Sequence, residues 1–117
     1  MKLLSASSGK VIVPNLEVAA SLWQRTKGLL GRPSIPSDYG LWILRCNSIH
    51  TFFMQFPIDL IFIDRNMQVT KTVAGVRPGR LVLPVWRASS VIELQEGFLQ
   101  RHPVSIGEKL NVDNPLS

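Results

Sequence analysis

With one cysteine in 117 residues, the chain can form no internal disulfide, so its fold has to rest on packing and hydrogen bonding alone. No apolar run approaches the ~18 residues that would suggest a membrane-spanning helix. The opening MKLLSASSGK offers two consecutive leucines where a secretory leader needs about seven apolar residues. These absences lead to the expectation of a cytoplasmic protein with no transmembrane segment. Histidine is scarce too, at positions 50 and 102 only, which leaves little material for a structural zinc site of four nitrogen or sulfur ligands. Repeats and low-complexity tracts are missing, so neither a solenoid nor a disordered chain is expected.

What is present suits one ordinary globular unit. At this length a chain buries about two-thirds of the surface that its unfolded form exposes, so residues 1–117 are expected to form a single domain, with flexible ends at 1–9 and 114–117. Thirteen basic against eight acidic residues give a net charge of +5, and Arg77, Arg80, Arg87 and Arg101 gather in the second half. Such an excess attracts anions. Its scatter speaks for a solvated surface rather than for nucleic-acid binding.

The apolar pattern changes period once. Pro14 and Asn15 make a turn, and Leu16, Glu17 and Val18 alternate as in a half-buried strand. Ser21 and Gln24 then match a capping box, and Leu22, Thr26, Leu29 and Leu30 share one helical face, so a short helix is expected over about residues 21–31, stopped by Gly31 and Pro33. From position 41 onward the chain reads as strand. IDLIFID is apolar on both sides of its alternation, which predicts a strand covered on both faces. Asp64, Arg65 and Asn66 turn it into a hairpin with the following strand, and a helical turn is allowed at 98–101. Some eight strands and one helix predict a mainly β protein, a compact β-sandwich or barrel of the jelly-roll type.

Four separated motifs add to that reading. RTKGLLGR with Arg25, Gly28, Leu29 and Arg32, then FMQFPIDLIFID, VIELQEG and a closing IGEKL follow in order between about Leu16 and Val112. This succession resembles the bacterial and archaeal family called domain of unknown function 192. Where that family commonly has tryptophan-methionine-lysine-asparagine before its proline-x-aspartate, this chain has Phe53, Met54, Gln55 and Phe56, sharing the methionine alone. The resemblance implies a small, sandwich-like, mainly β domain carrying one helix, and implies no activity.

Candidate chemistry concentrates in CNSIHTFFMQFPIDLIFID. Cys46, His50 and Met54 are spaced by four and carry the soft donors that suit Cu(I). Along a straight strand, however, residues four apart lie ~13 Å from one another. Only a bend at Asn47 and Ser48 would gather them; otherwise Cys46 and Met54 are core fillers. Cys46 with His50 as its base is a possible nucleophile, with Asp59 the one evident orienting group. Asp59 lies among apolar residues, so its carboxylate needs a partner, with Thr51, His50 and Arg25 as candidates. Trp86 beside Arg87, near Arg77 and Arg80, suggests a contact for an anionic or aromatic ligand. The expectation is a non-enzymatic ligand- or partner-binding accessory domain, without a cofactor, whose concave face is formed by His50, Thr51 and Asp59 with Cys46 beside them. Two alternatives stand beside it: a small hydrolase-like enzyme using Asp59 and His50 or Cys46, and a copper-binding protein.

Overall fold

A computed structural model describes residues 1–113. In chain order its elements are β1 (Lys2–Ser5), β2 (Val11–Val13), β3 (Asn15–Ala19), α1 (Leu22–Lys27), β4 (Tyr39–Leu44), β5 (Ile49–His50), β6 (Ile58–Ile63), β7 (Val69–Val76), β8 (Leu81–Val82), β9 (Ser90–Gln95), α2 (Phe98–Arg101) and β10 (Leu110–Asp113). They form a five-stranded sheet in the order β3-β4-β9-β6-β7, a three-stranded sheet β10-β1-β2 and a two-stranded ribbon β5-β8.

The five-stranded sheet is the middle layer, and its strands show it. Every residue of β6 is buried, as its doubly apolar alternation predicts. On one face Leu16, Ile61, Ile63, Ile92 and Leu94 pack with Leu3, Val13 and Leu110 of the three-stranded sheet and with Phe98 of α2. On the other, Leu41, Ile43, Leu60, Phe62 and Val91 pack beneath Leu29, Ile35, Ile49, Met54 and Val85, which come from the turn after α1 and from loops around the ribbon. The result is mainly β and sandwich-like. β3 and β4 run parallel, with α1 in their crossover, a connection that an all-antiparallel jelly roll does not contain.

Two local expectations are corrected. Residues 2–5, expected to lie in a loose end, form β1, the middle strand of its sheet, because Leu3 is fully buried and both edges are paired. The expected tail 114–117 lies outside the described residues. The helix starts where the capping box puts it, with Gln24 N–H donating to Ser21 Oγ at 3.1 Å and Ser21 N–H donating to Gln24 Oε1 at 3.3 Å. It stops four residues before the expected end. Gly28 takes φ +49°, ψ −126°, which no helix tolerates, and Leu29 is carried inward by the turn that follows rather than by a helical face.

The hairpin is as read. Asp64 Oδ1 accepts from Asn66 N–H at 2.8 Å and Gln68 N–H at 3.0 Å, turning β6 into antiparallel β7. Among the described residues no helix is long and apolar enough to cross a membrane.

Candidate ligand-binding cleft

β9 carries an acid through the middle of the sheet. Because strand side chains alternate, Val91 and Glu93 face one layer while Ile92 and Leu94 face the other. Glu93 thus enters the layer of Leu41 and Ile43, and it is 4% exposed. Its Oε1 has no hydrogen-bond partner among the described residues. Burial pushes the carboxyl from 4.5 up to about 7, with the charge of Arg32 opposing that rise.

Above Glu93 lies a cleft of about 260 Å³. Ile43 and Glu93 line its floor, the end of α1 with Arg25, Lys27 and Gly28 forms one wall, and Cys46, Ser48, His50 and Met54 form the other. Gly28 lets the turn after α1 pack directly on the carboxylate: a Cβ there would stand 3.1 Å from Glu93 Oε1.

Arg25 is tethered at one end only. Its Nη2 donates to the Arg45 carbonyl at 2.6 Å, and Arg45 Nη2 in turn donates to the Ala20 carbonyl at 2.9 Å. The Arg25 Nε is buried with no partner among the described residues. One cleft is therefore lined by two residues with complementary needs, an unmatched donor on Arg25 and an unmatched acceptor on Glu93. A buried polar atom left without a partner costs ~1–3 kcal/mol.

The structure brings Cys46, His50 and Met54 to this same cleft, through the bend after β4. Cys46 is half-buried and its thiol donates to the Ser48 carbonyl at 3.0 Å. Burial pushes the thiol up and the nearby Glu93 adds to the effect, while the positive charge of Arg25 opposes it. A thiol held protonated is a poor nucleophile and a poor metal ligand. His50 is exposed and stacks on Phe52, ring centroids 5.4 Å apart. Among the described residues no three His, Cys, Asp or Glu side chains gather as metal ligands would.

Asp59 does not join them. It pairs across from Leu94 and faces the opposite layer, where Oδ1 accepts from Gly75 N–H at 2.8 Å and Oδ2 from Leu99 N–H at 3.0 Å. It ties β7 and the first turn of α2 to β6. Thr51 is also fully enclosed: its hydroxyl donates to the Arg77 carbonyl at 2.6 Å and accepts from Arg80 N–H at 2.9 Å. Arg77, Arg80, Trp86 and Arg87 are exposed on the loops either side of β8 and do not line the cleft.

Residues 3–112 match the model of domain of unknown function 192 (DUF192), described as an uncharacterized ACR. The chain belongs to this family. The UPF0127 protein of Thermococcus sibiricus is 30% identical over 115 residues, covering 93% of this chain and 73% of that protein. The UPF0127 protein of Pyrococcus furiosus is 28% identical over 113 residues, covering 92% of this chain and 95% of its own length. The crystal structure of a protein of unknown function from Novosphingobium aromaticivorans aligns with a TM-score of 0.79 at 22% identity, covering 95% of this chain and 82% of that one, which shows a shared fold.

For this DUF192 domain the residues that sequence reasoning passed over are Glu93, Lys27 and the cleft role of Arg25 and Gly28. A signal for Glu93 was present. An acid within VIEL, bounded by apolar residues in a strand, is the same anomaly that singles out Asp59, and the same argument about an unsatisfied buried carboxylate applies to it.

Proposed function

We propose that the cleft over Glu93 binds a small molecule that presents a hydrogen-bond acceptor to Arg25 and a hydrogen-bond donor to Glu93. The observation that carries this reading is the pair of buried, unmatched polar atoms, Arg25 Nε and Glu93 Oε1, on residues lining one cleft. Both atoms are enclosed, so a bifunctional ligand satisfies them once the two side chains turn toward it, and the apolar lining from Ile43, Ile49 and Met54 leaves room for a short aliphatic portion. The volume equals that of about nine waters at ~30 Å³ each, the scale of a free amino acid or a small carboxamide. The lone half-buried thiol fits a reducing compartment, which supports the cytoplasm as the proposed location.

The test is a thermal-unfolding screen of free α-amino acids and small primary carboxamides against the wild-type chain and Glu93→Gln. A ligand at ~100 times its Kd stabilises by ~2.7 kcal/mol and raises the midpoint by several degrees. The shift is expected with the wild type and much reduced in Glu93→Gln. A screen in which nothing shifts the wild type, or in which the variant responds equally, sinks the reading.

A second reading has its own observation. A carboxyl that titrates at about 7 is tuned for general acid–base work at neutral pH. Turnover of a bound ligand with an inflection near pH 7 that vanishes in Glu93→Gln would favour an enzyme over a binding domain.

A further inference from the structure

Seven large apolar side chains are exposed among the described residues, and five of them, Phe52, Phe53, Leu81, Leu83 and Trp86, come from two segments. Those segments are held together by the β5-β8 ribbon, with Ile49 opposite Val82 and His50 opposite Leu81. Thr51 N–H donates to the Arg80 carbonyl and Gly79 N–H to the Thr51 carbonyl, both at 2.8 Å, and Val85 N–H reaches the Asn47 carbonyl at 2.9 Å. The five side chains therefore project from one locally rigid region rather than from scattered positions. Single exposed apolar residues are ordinary, but a cluster marks a contact surface.

Charge says what kind of surface it meets. Residues 39–58 and 65–92 contain no aspartate or glutamate, while Arg77, Arg80 and Arg87 stand exposed among the apolar side chains. The partner is thus apolar and anionic together. Phe53 is 90% exposed and Trp86 82%, so neither ring rests on its own protein as an aromatic in a preformed, flat protein interface does. Protruding aromatic and leucine side chains with guanidinium groups around them are the chemistry that enters the boundary between headgroups and acyl chains of an anionic bilayer.

We propose that the β5-β8 ribbon and its two loops dock peripherally on an anionic lipid surface, with Phe53 and Trp86 inserted and Arg77, Arg80 and Arg87 on the headgroups. The surface adjoins the cleft, which Ile49 and His50 of the ribbon also line, but docking does not require that the cleft be filled.

Co-sedimentation of the full chain with phosphatidylcholine vesicles, with and without phosphatidylglycerol, reads the proposal directly. The chain is expected to pellet with the anionic vesicles, to be released by salt, and to bind about tenfold more weakly or worse as Phe53→Gly with Trp86→Ala, because insertion and charge act jointly. Phe53 has φ +66°, a conformation glycine adopts freely, so the variant should keep its unfolding midpoint and the loss will not reflect misfolding. No binding to anionic vesicles, or equal binding by the variant, overturns the proposal. So does a dimer, or a complex with single-stranded nucleic acid, that the same substitutions abolish while vesicles are not bound.

Discussion

Glu93 keeps a proton in the folded protein that the unfolded chain would give up. It ionises at 4.5 when unfolded and at about 7 when folded, so between those values the folded state binds more protons and stability falls as pH rises. By about pH 8 the cost approaches ~3 kcal/mol, at ~1.4 kcal/mol per pH unit. Glu93→Gln, nearly isosteric with the protonated acid, should remove that slope: its thermal midpoint should equal the wild type's near pH 5 and exceed it near pH 8. Parallel pH dependence in the two proteins would show that the carboxyl is not desolvated as the structure has it. Gly28 belongs to the same site for a steric reason. Gly28→Ala places a Cβ 3.1 Å from Glu93 Oε1 on a residue with φ +49° and ψ −126°, and holding an L-residue in so sparsely populated a backbone region costs ~1–3 kcal/mol. Chemical denaturation should show at least that loss, and ligand-induced stabilisation should disappear with it.

At the scale of elements, the two buried acids of the central sheet have opposite roles although Asp59 and Glu93 sit one position out of register on neighbouring strands. Asp59 lies across from Leu94 and Glu93 across from Leu60, so the pleat sends one carboxylate to each layer. Asp59 is fully engaged by Gly75 and Leu99 N–H, and Asp59→Ala should leave both donors without their acceptor at a cost of about 3 kcal/mol in a denaturant midpoint. It should leave the cleft's ligand response intact, because Asp59 faces the other layer. The sequence was legible where a local rule decides the outcome: the capping box of α1, the Asp64 turn and the double burial of β6 all rest on residues a few positions apart. The helix end was not, since Gly28 stops α1 to make room for Glu93, which is 65 positions away in sequence. For the same reason the spacing of Cys46, His50 and Met54 named residues of the cleft without naming its floor. A cleft assembled from α1, β4, β9 and the segment after β4 leaves no single motif to read.

For the whole molecule, the decisive contact is between segments far apart in the chain. β1 lies between β2 and β10, with Lys2 opposite Asp113 and Ser5 opposite Leu110, so the three-stranded sheet exists only when residues 2–5 and 110–113 meet. Leu3 is the keystone of that layer: it is fully buried and packs in one cluster with Val13, Ile63, Phe98 and Leu110. Truncating it removes atoms from a close-packed site where both flanking strands are already hydrogen-bonded and cannot collapse inward, the circumstance in which leucine-to-alanine changes cost ~2–5 kcal/mol. A small domain has about 5–15 kcal/mol in total. Leu3→Ala should therefore lower the unfolding midpoint sharply as one cooperative transition. Loss should be seen equally by tryptophan fluorescence, in which the half-buried Trp42 on β4 changes environment most because Trp23 and Trp86 are already exposed, and by far-ultraviolet circular dichroism, which reports all strands. Should the three-stranded sheet melt first, giving two separated transitions, the layers would be energetically independent and the expectation of a single cooperative unit would fail.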